Sequence, residues 1–137
     1  MGAALAMVFA NAGAAYGTAK SSIGIANMGV VKPEKIFRAL IPIIMAGILG
    51  IYGLIVAVLM AKKIQDADAA AGFGQLAAGA CCGFSALASG LAIGVAGEAV
   101  VKAYAQTDGI FVGMILIMIF AEAIGLYGLI VAIILTM

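Results

Sequence analysis

The chain has 137 residues, of which 66% are hydrophobic and 9% charged, with seven basic against six acidic side chains and no His or Trp. Too few polar residues remain to cover a soluble core, so the composition excludes an ordinary globular domain and makes lipid the expected solvent. No nucleic-acid partner, metal or cofactor is expected.

A bilayer crossing takes about 20 mainly apolar residues, and the backbone in lipid must satisfy its own hydrogen bonds as a helix or a closed barrel. The short alternating segments of a barrel are absent. The first long apolar stretch, Ala3 to Val31, is broken only by Lys20. Its start, "MGAALAMVFANAGAAYG", has no basic region before the apolar run and continues into a full crossing, so it reads as a helix rather than a secretory signal. Tyr16, Lys20 and Asn27 fall on one helical face. Lys20 is read as structural rather than as the ion partner of Glu122, because a permanent pair would hold that acid ionised.

The junction "KPEKIFR" carries Lys32, Lys35 and Arg38 against Glu34, and is followed by the uncharged stretch Ala39 to Ala61. A second junction, "KKIQDAD", precedes the third crossing, Phe73 to Val101. Cys81 and Cys82 lie inside that crossing and read as small packing residues rather than a disulfide framework or metal site. Glu98 stands four residues before Lys102, an i, i+4 pair near the membrane edge. After "KAYAQTD" comes the fourth crossing, Gly109 to Met137, with Glu122 near its centre. The junctions are short enough for hairpins. The expected fold is an all-α membrane protein, a four-helix bundle. Three basic residues in the first junction against two in the middle one favour a cytoplasmic first junction, with both chain ends outside or in a lumen.

Internal repetition organises these helices. "IGIANMGVVK" (Ile23 to Lys32) aligns with "IGVAGEAVVK" (Ile93 to Lys102) at a shift of 70, and "GIYGLIVAVL" (Gly50 to Leu59) with "GLYGLIVAII" (Gly125 to Ile134) at a shift of 75. The chain therefore divides into two tandem helical hairpins, 1–66 and 67–137, expected to run parallel, with five extra residues between the third and fourth helices. Glu122 falls opposite Gly47, so one acid serves both hairpins. Gly13 and Gly17, Gly79 and Gly83, and Gly90 and Gly94 are four apart, which favours close packing of the first and third helices. Gly47, Gly50, Gly53, Gly125 and Gly128 mark a thinner face on the second and fourth.

Glu122 lies roughly 20 Å along its helix from either end, beyond snorkelling reach. An ionised acid at the membrane centre costs about 3 kcal/mol, so the neutral form is expected in lipid, and an intramembrane acid is functional by default. Tyr127, Ser85 and Ser89 are the polar groups within reach of it, and by chain position Ser89 lies at a depth like that of Glu122. So few oxygen ligands favour a proton over sodium. No GxxxxGK[ST] loop occurs, so nucleotide hydrolysis on this chain is not expected.

The segments "AAYGTAKS", "VVKP", "PIIMAGILGIYGLIVAVL", "GLAIGVAGEA" and "FVGMILIMIFAEAIGLYGLIVAIIL" resemble the proteolipid c subunits of eukaryotic vacuolar-type proton-translocating ATPases over nearly the whole chain. The resemblance implies a rotor ring with the first and third helices on the inner wall and the second and fourth on the outer. It implies a proton-carrying subunit, not an enzyme by itself, in which Glu122 is protonated and deprotonated as the ring turns past an a subunit with an essential Arg and half-channels. ATP hydrolysis elsewhere would drive proton transport and organelle acidification. The implied partners are other c-type subunits, the a subunit, a central-stalk d subunit and membrane lipid, and the implied place is a vacuolar or other acidic endomembrane. Lys32, Lys35 and Arg38 would then contact the stalk or fix topology. The alternatives are a paralogous proteolipid of the same ring, a purely structural ring or channel-forming proteolipid, and a small proton-coupled multidrug exporter, whose acid would be expected on the first helix of an unduplicated chain.

Overall fold

A computed structural model describes residues 1–65 and 68–137. Asp66 of the middle junction and the hairpin boundary between residues 66 and 67 lie outside the described residues. The described chain is helical almost throughout. Helix α1 spans Gly2–Val31, a 3-10 turn spans Pro33–Lys35, and α2 is a four-residue piece, Ile36–Ala39. Then follow α3, Ile41–Ala61, α4, Ala69–Gln106, and α5, Ile110–Thr136.

Local chemistry sets several of these boundaries. Pro33 opens the 3-10 turn and Pro42 sits in the first turn of α3, where a missing backbone N–H costs nothing. Asp68 caps α4, its side chain accepting a hydrogen bond from the Ala71 backbone N–H at 2.8 Å.

Three segments are long and apolar enough to cross a membrane: Pro33–Ala61, Ala69–Gln106 and Ile110–Thr136. Helix α1 matches them in length with 30 residues. Asn11, Tyr16, Thr18 and Lys20 dilute its apolar character, and it is not among the three.

The most extensive interface joins α1 to α4, followed by α4 with α5 and α1 with α3. Glycine explains the first. Gly2 lies against Gly79, and Gly13 against Gly90, so closely that a Cβ on either partner would meet backbone of the other helix. This is the small-residue packing that lets membrane helices approach without side chains between them.

A Cβ on Gly79 or Gly90 would meet α1 residues 77 earlier, and one on Gly2 or Gly13 would meet α4 residues 73 to 74 later, so residues about 75 apart lie level on the two helices. Gly53 meets Ala6 and Ala10 while Gly17 meets Ala46, which makes α1 and α3 antiparallel. Gly128 meets Ser85 while Gly125 meets Ser89, which does the same for α4 and α5.

Three buried clusters stack along the bundle. One holds Ala6, Val56, Met60, Cys82 and Leu129 at the end bearing both chain termini. The middle one holds Ala10, Ala46, Leu49, Ile93, Met118 and Ala121. The third holds Met28, Ala39, Val101, Tyr104 and Met114 beside the first and last junctions. Bulky side chains on α3 and α5, among them Ile44, Ile51, Phe120 and Ile134, point outward, as lipid or further protein requires.

Candidate functional site

Glu122 stands at mid-length on α5 beside the middle cluster, and its side chain is turned inward, only 9% exposed. The helix dictates this. Residues two positions away lie about 200° around the axis, and Phe120 and Ile124 occupy that outer face. The carboxyl thus lies in the seam between α5 and α3 rather than on the outer surface. Tyr52, on α3, is the polar side chain beside it. Neither Oε1 nor Oε2 makes a hydrogen bond. An ionised carboxylate in that setting would be severely destabilised, and a neutral acid far less so.

The polar residues named from the sequence are dispersed. Tyr127 is 64% exposed, on the outer side of α5. Ser89 is fully buried and donates to the backbone carbonyl of Ala121 at 2.7 Å, one residue from the acid. Ser85 lies against Gly128, one turn further along the α4/α5 contact. Tyr52 went unnoticed because its repeat partner, Tyr127, is the tyrosine on the acid's own helix. Five residues after Glu122, Tyr127 points about 140° away from it, whereas Tyr52 faces it from the neighbouring helix.

Gly47, opposite Glu122 in the repeat, has open space where a Cβ would stand. Gly17, Gly83, Gly94, Gly50, Gly53, Gly125 and Gly128, like the paired glycines of α1 and α4, meet neighbouring helices of the same chain.

Lys20 donates to Glu98 Oε2 at 3.2 Å, and Lys102 donates to Glu98 Oε1 at 2.7 Å. Glu98 therefore bridges α1 to its own helix. The i, i+4 pair was legible in the sequence, but the Lys20 contact across 78 residues was not.

At the same end of the bundle, Lys35 is buried. It donates to the Tyr104 carbonyl at 2.9 Å, pairs with Asp108 at 2.5 Å and lies over the Tyr104 ring at 4.7 Å. The Lys35 ammonium holds the Asp108 carboxyl below the usual carboxylate range, first through its hydrogen bond and then through its charge. Arg38 lies over the Phe111 ring. Two of the three basic residues expected to serve the stalk or topology, Lys35 and Arg38, thus contact the second hairpin. Among the described residues, no group of three or more His, Cys, Asp or Glu is placed to hold a metal ion.

The family model of the ATP synthase C subunit matches residues 1–60 and 76–135, one stretch for each hairpin. The chain is 56% identical to the 16 kDa proteolipid c 2 subunit of the V-type proton ATPase of Caenorhabditis briggsae, over 98% of this chain and 86% of that protein. It is 58% identical to the corresponding 16 kDa proteolipid c subunit of the V-type proton ATPase of Homo sapiens, over 99% and 88% respectively. With the V-type proton ATPase 16 kDa proteolipid subunit of Chrysotila carterae it shares 54% over 99% and 87%. A two-part match over both hairpins and majority identity along nearly the full length establish that this chain belongs to the ATP synthase C subunit family, together with the V-type proton ATPase proteolipids.

Proposed function

We propose that the chain spans the membrane four times as two parallel hairpins and forms a rotor ring with other c-type subunits, and that Glu122 carries one proton per subunit. The observation that supports this most is the placement of Glu122: a carboxyl at mid-length of a helix long and apolar enough to cross a membrane, buried beside Tyr52, with no hydrogen-bond partner at either oxygen.

Such a group rests in lipid only while neutral, so a loaded subunit can travel through the bilayer. Deprotonation needs a cation and water that this chain does not supply. The side chain leaves the seam to meet an essential Arg on an a subunit, where half-channels from each side deliver and remove the proton. Moving one charge across 100 mV requires about 2.3 kcal/mol, and ATP hydrolysis on another subunit provides it. A proton suits the site better than sodium, since Gly47 contributes no side chain and the Ser89 hydroxyl is engaged with Ala121. Exposed Lys62 and Lys63 mark one end, while Lys32, Arg38 and the buried Lys35 mark the other. The latter end is cytoplasmic, beside a central-stalk d subunit, and both termini are luminal in an acidic endomembrane.

Glu122→Gln is the direct test, because the amide matches the neutral acid in shape and cannot release a proton. Rings should assemble in normal yield, and ATP-driven acidification of vesicles should be lost. Vesicles that still acidify with the Gln chain would overturn the assignment.

A further inference from the structure

Among the described residues, Ser89 is the one buried hydroxyl that reaches across from α4 to α5 next to the acid, and the role proposed for Glu122 does not use it. Its donation to the Ala121 carbonyl at 2.7 Å is unusual in position. That carbonyl already belongs to the α5 ladder, whose ordinary acceptor geometry directs it to the N–H of Gly125. Ser89 therefore adds a second hydrogen bond to a carbonyl that is not in want of one. Satisfying the backbone does not explain it.

The surroundings are shaped to permit the bond. Gly125 lies directly over Ser89, where an added Cβ would stand 3.3 Å from the serine Cβ, 3.4 Å from its Oγ and 2.6 Å from a Leu49 methyl. A side chain at 125 would push α5 away from both α4 and α3. In the repeat that aligns the first and third helices at a shift of 70, the counterpart of Ser89 in the acid-free hairpin is Ala19, which has no hydroxyl. The tie occurs in the hairpin that carries the acid.

We infer that Ser89 is a positioning residue for Glu122: its hydrogen bond to Ala121 fixes the rotation of α5 about its axis, so that the carboxyl is held in the α3/α5 seam beside Tyr52. Rotation of α5 matters because Leu126, about 40° around the axis from Glu122, is 39% exposed. A modest turn of the helix carries the carboxyl toward the lipid surface. With Ser89 in place, the acid leaves the seam by its own side-chain rotation while the helix stays still. This inference rests on the proton-carrying reading of Glu122.

The test uses assembled rings of the full chain with Ser89→Ala. Carbodiimide attacks the carboxyl from the lipid side, so release of α5 should speed labelling of Glu122 by about fivefold, the population shift that one ordinary hydrogen bond controls. The infrared band of the protonated carboxyl, assigned by its disappearance in Glu122→Gln, should move or split. A role confined to stability would change ring yield and leave both readings as in the unaltered chain. Should Ser89→Ala rings not assemble, Ser89→Cys keeps the volume with a far weaker donor, and the same two readings apply. Labelling at the unaltered rate or slower, with an unmoved band, overturns the role of Ser89 and leaves Glu122 untouched. A Glu122→Gln complex that still acidifies vesicles would instead remove the reading beneath it.

Discussion

Glu122, Phe120 and Ile124 share one helix, yet the acid is buried and the other two face outward. Hydropathy placed the acid near the middle of its helix, because position along a helix follows from counting residues. Which way it faced was not legible, since every face of α5 is apolar and no polar stripe marks the outside. The same uniformity hid Tyr52, whose proximity depends on how α3 and α5 meet. Tyr52 is the polar side chain beside the acid, and on the proposed reading its hydroxyl would steady the carboxylate before an outside cation arrives, a hydrogen bond to a charged group contributing about 1.5 to 3 kcal/mol. Tyr52→Phe should therefore leave ring assembly intact and slow ATP-driven proton transport about tenfold. Transport at the unaltered rate would show that Tyr52 only fills space.

Between elements, contact is decided by glycine. Gly90 faces the backbone of Gly13, and no side chain can retreat to make room. Gly90→Ala should force α1 and α4 apart and cost about 1 to 3 kcal/mol, the usual range for overpacking. Gly47→Ala points its methyl into open space and should be neutral. Thermal unfolding of the two variants in detergent checks the contrast: equal midpoints would mean that the α1/α4 approach is looser than described. The glycine spacing made this interface visible in advance, including which helices pack most extensively. Its register was not visible. The matching of Ile23 to Lys32 with Ile93 to Lys102 says which residues correspond in the repeat, whereas the glycine contacts decide which residues of α1 and α4 lie level.

For the whole molecule, polar ties join the two hairpins at both ends. Lys63 donates to the backbone carbonyls of Thr136 and Met137 at one end. At the other, Lys35 grips Tyr104 and Asp108 while Lys20 reaches Glu98. A charge count along the sequence assigned the first junction to topology or to an outside partner, because it cannot show that a lysine folds back onto a segment 69 residues away. The tie to Asp108 has a defined pH sense. Its carboxyl titrates below the ordinary value when folded, so its stabilising contribution is present above the ordinary carboxylate value of about 4 and is lost as pH falls through the lowered one. Asp108→Asn should accordingly unfold at a lower temperature than the unaltered chain at neutral pH and converge with it in acid. A gap that persists unchanged at acid pH would show that Asp108 acts by something other than its charge.

The empty space beside Gly47 has a consequence for energy conversion. On the proposed rotor reading, one ion is loaded for every pair of hairpins, so each revolution would move half the cargo that a fully acid-bearing rotor of equal circumference would move. For a fixed quantity of nucleotide consumed per revolution, the free energy available to each ion would be doubled. On that reading the missing acid gears the machine down, exchanging throughput for a steeper final gradient.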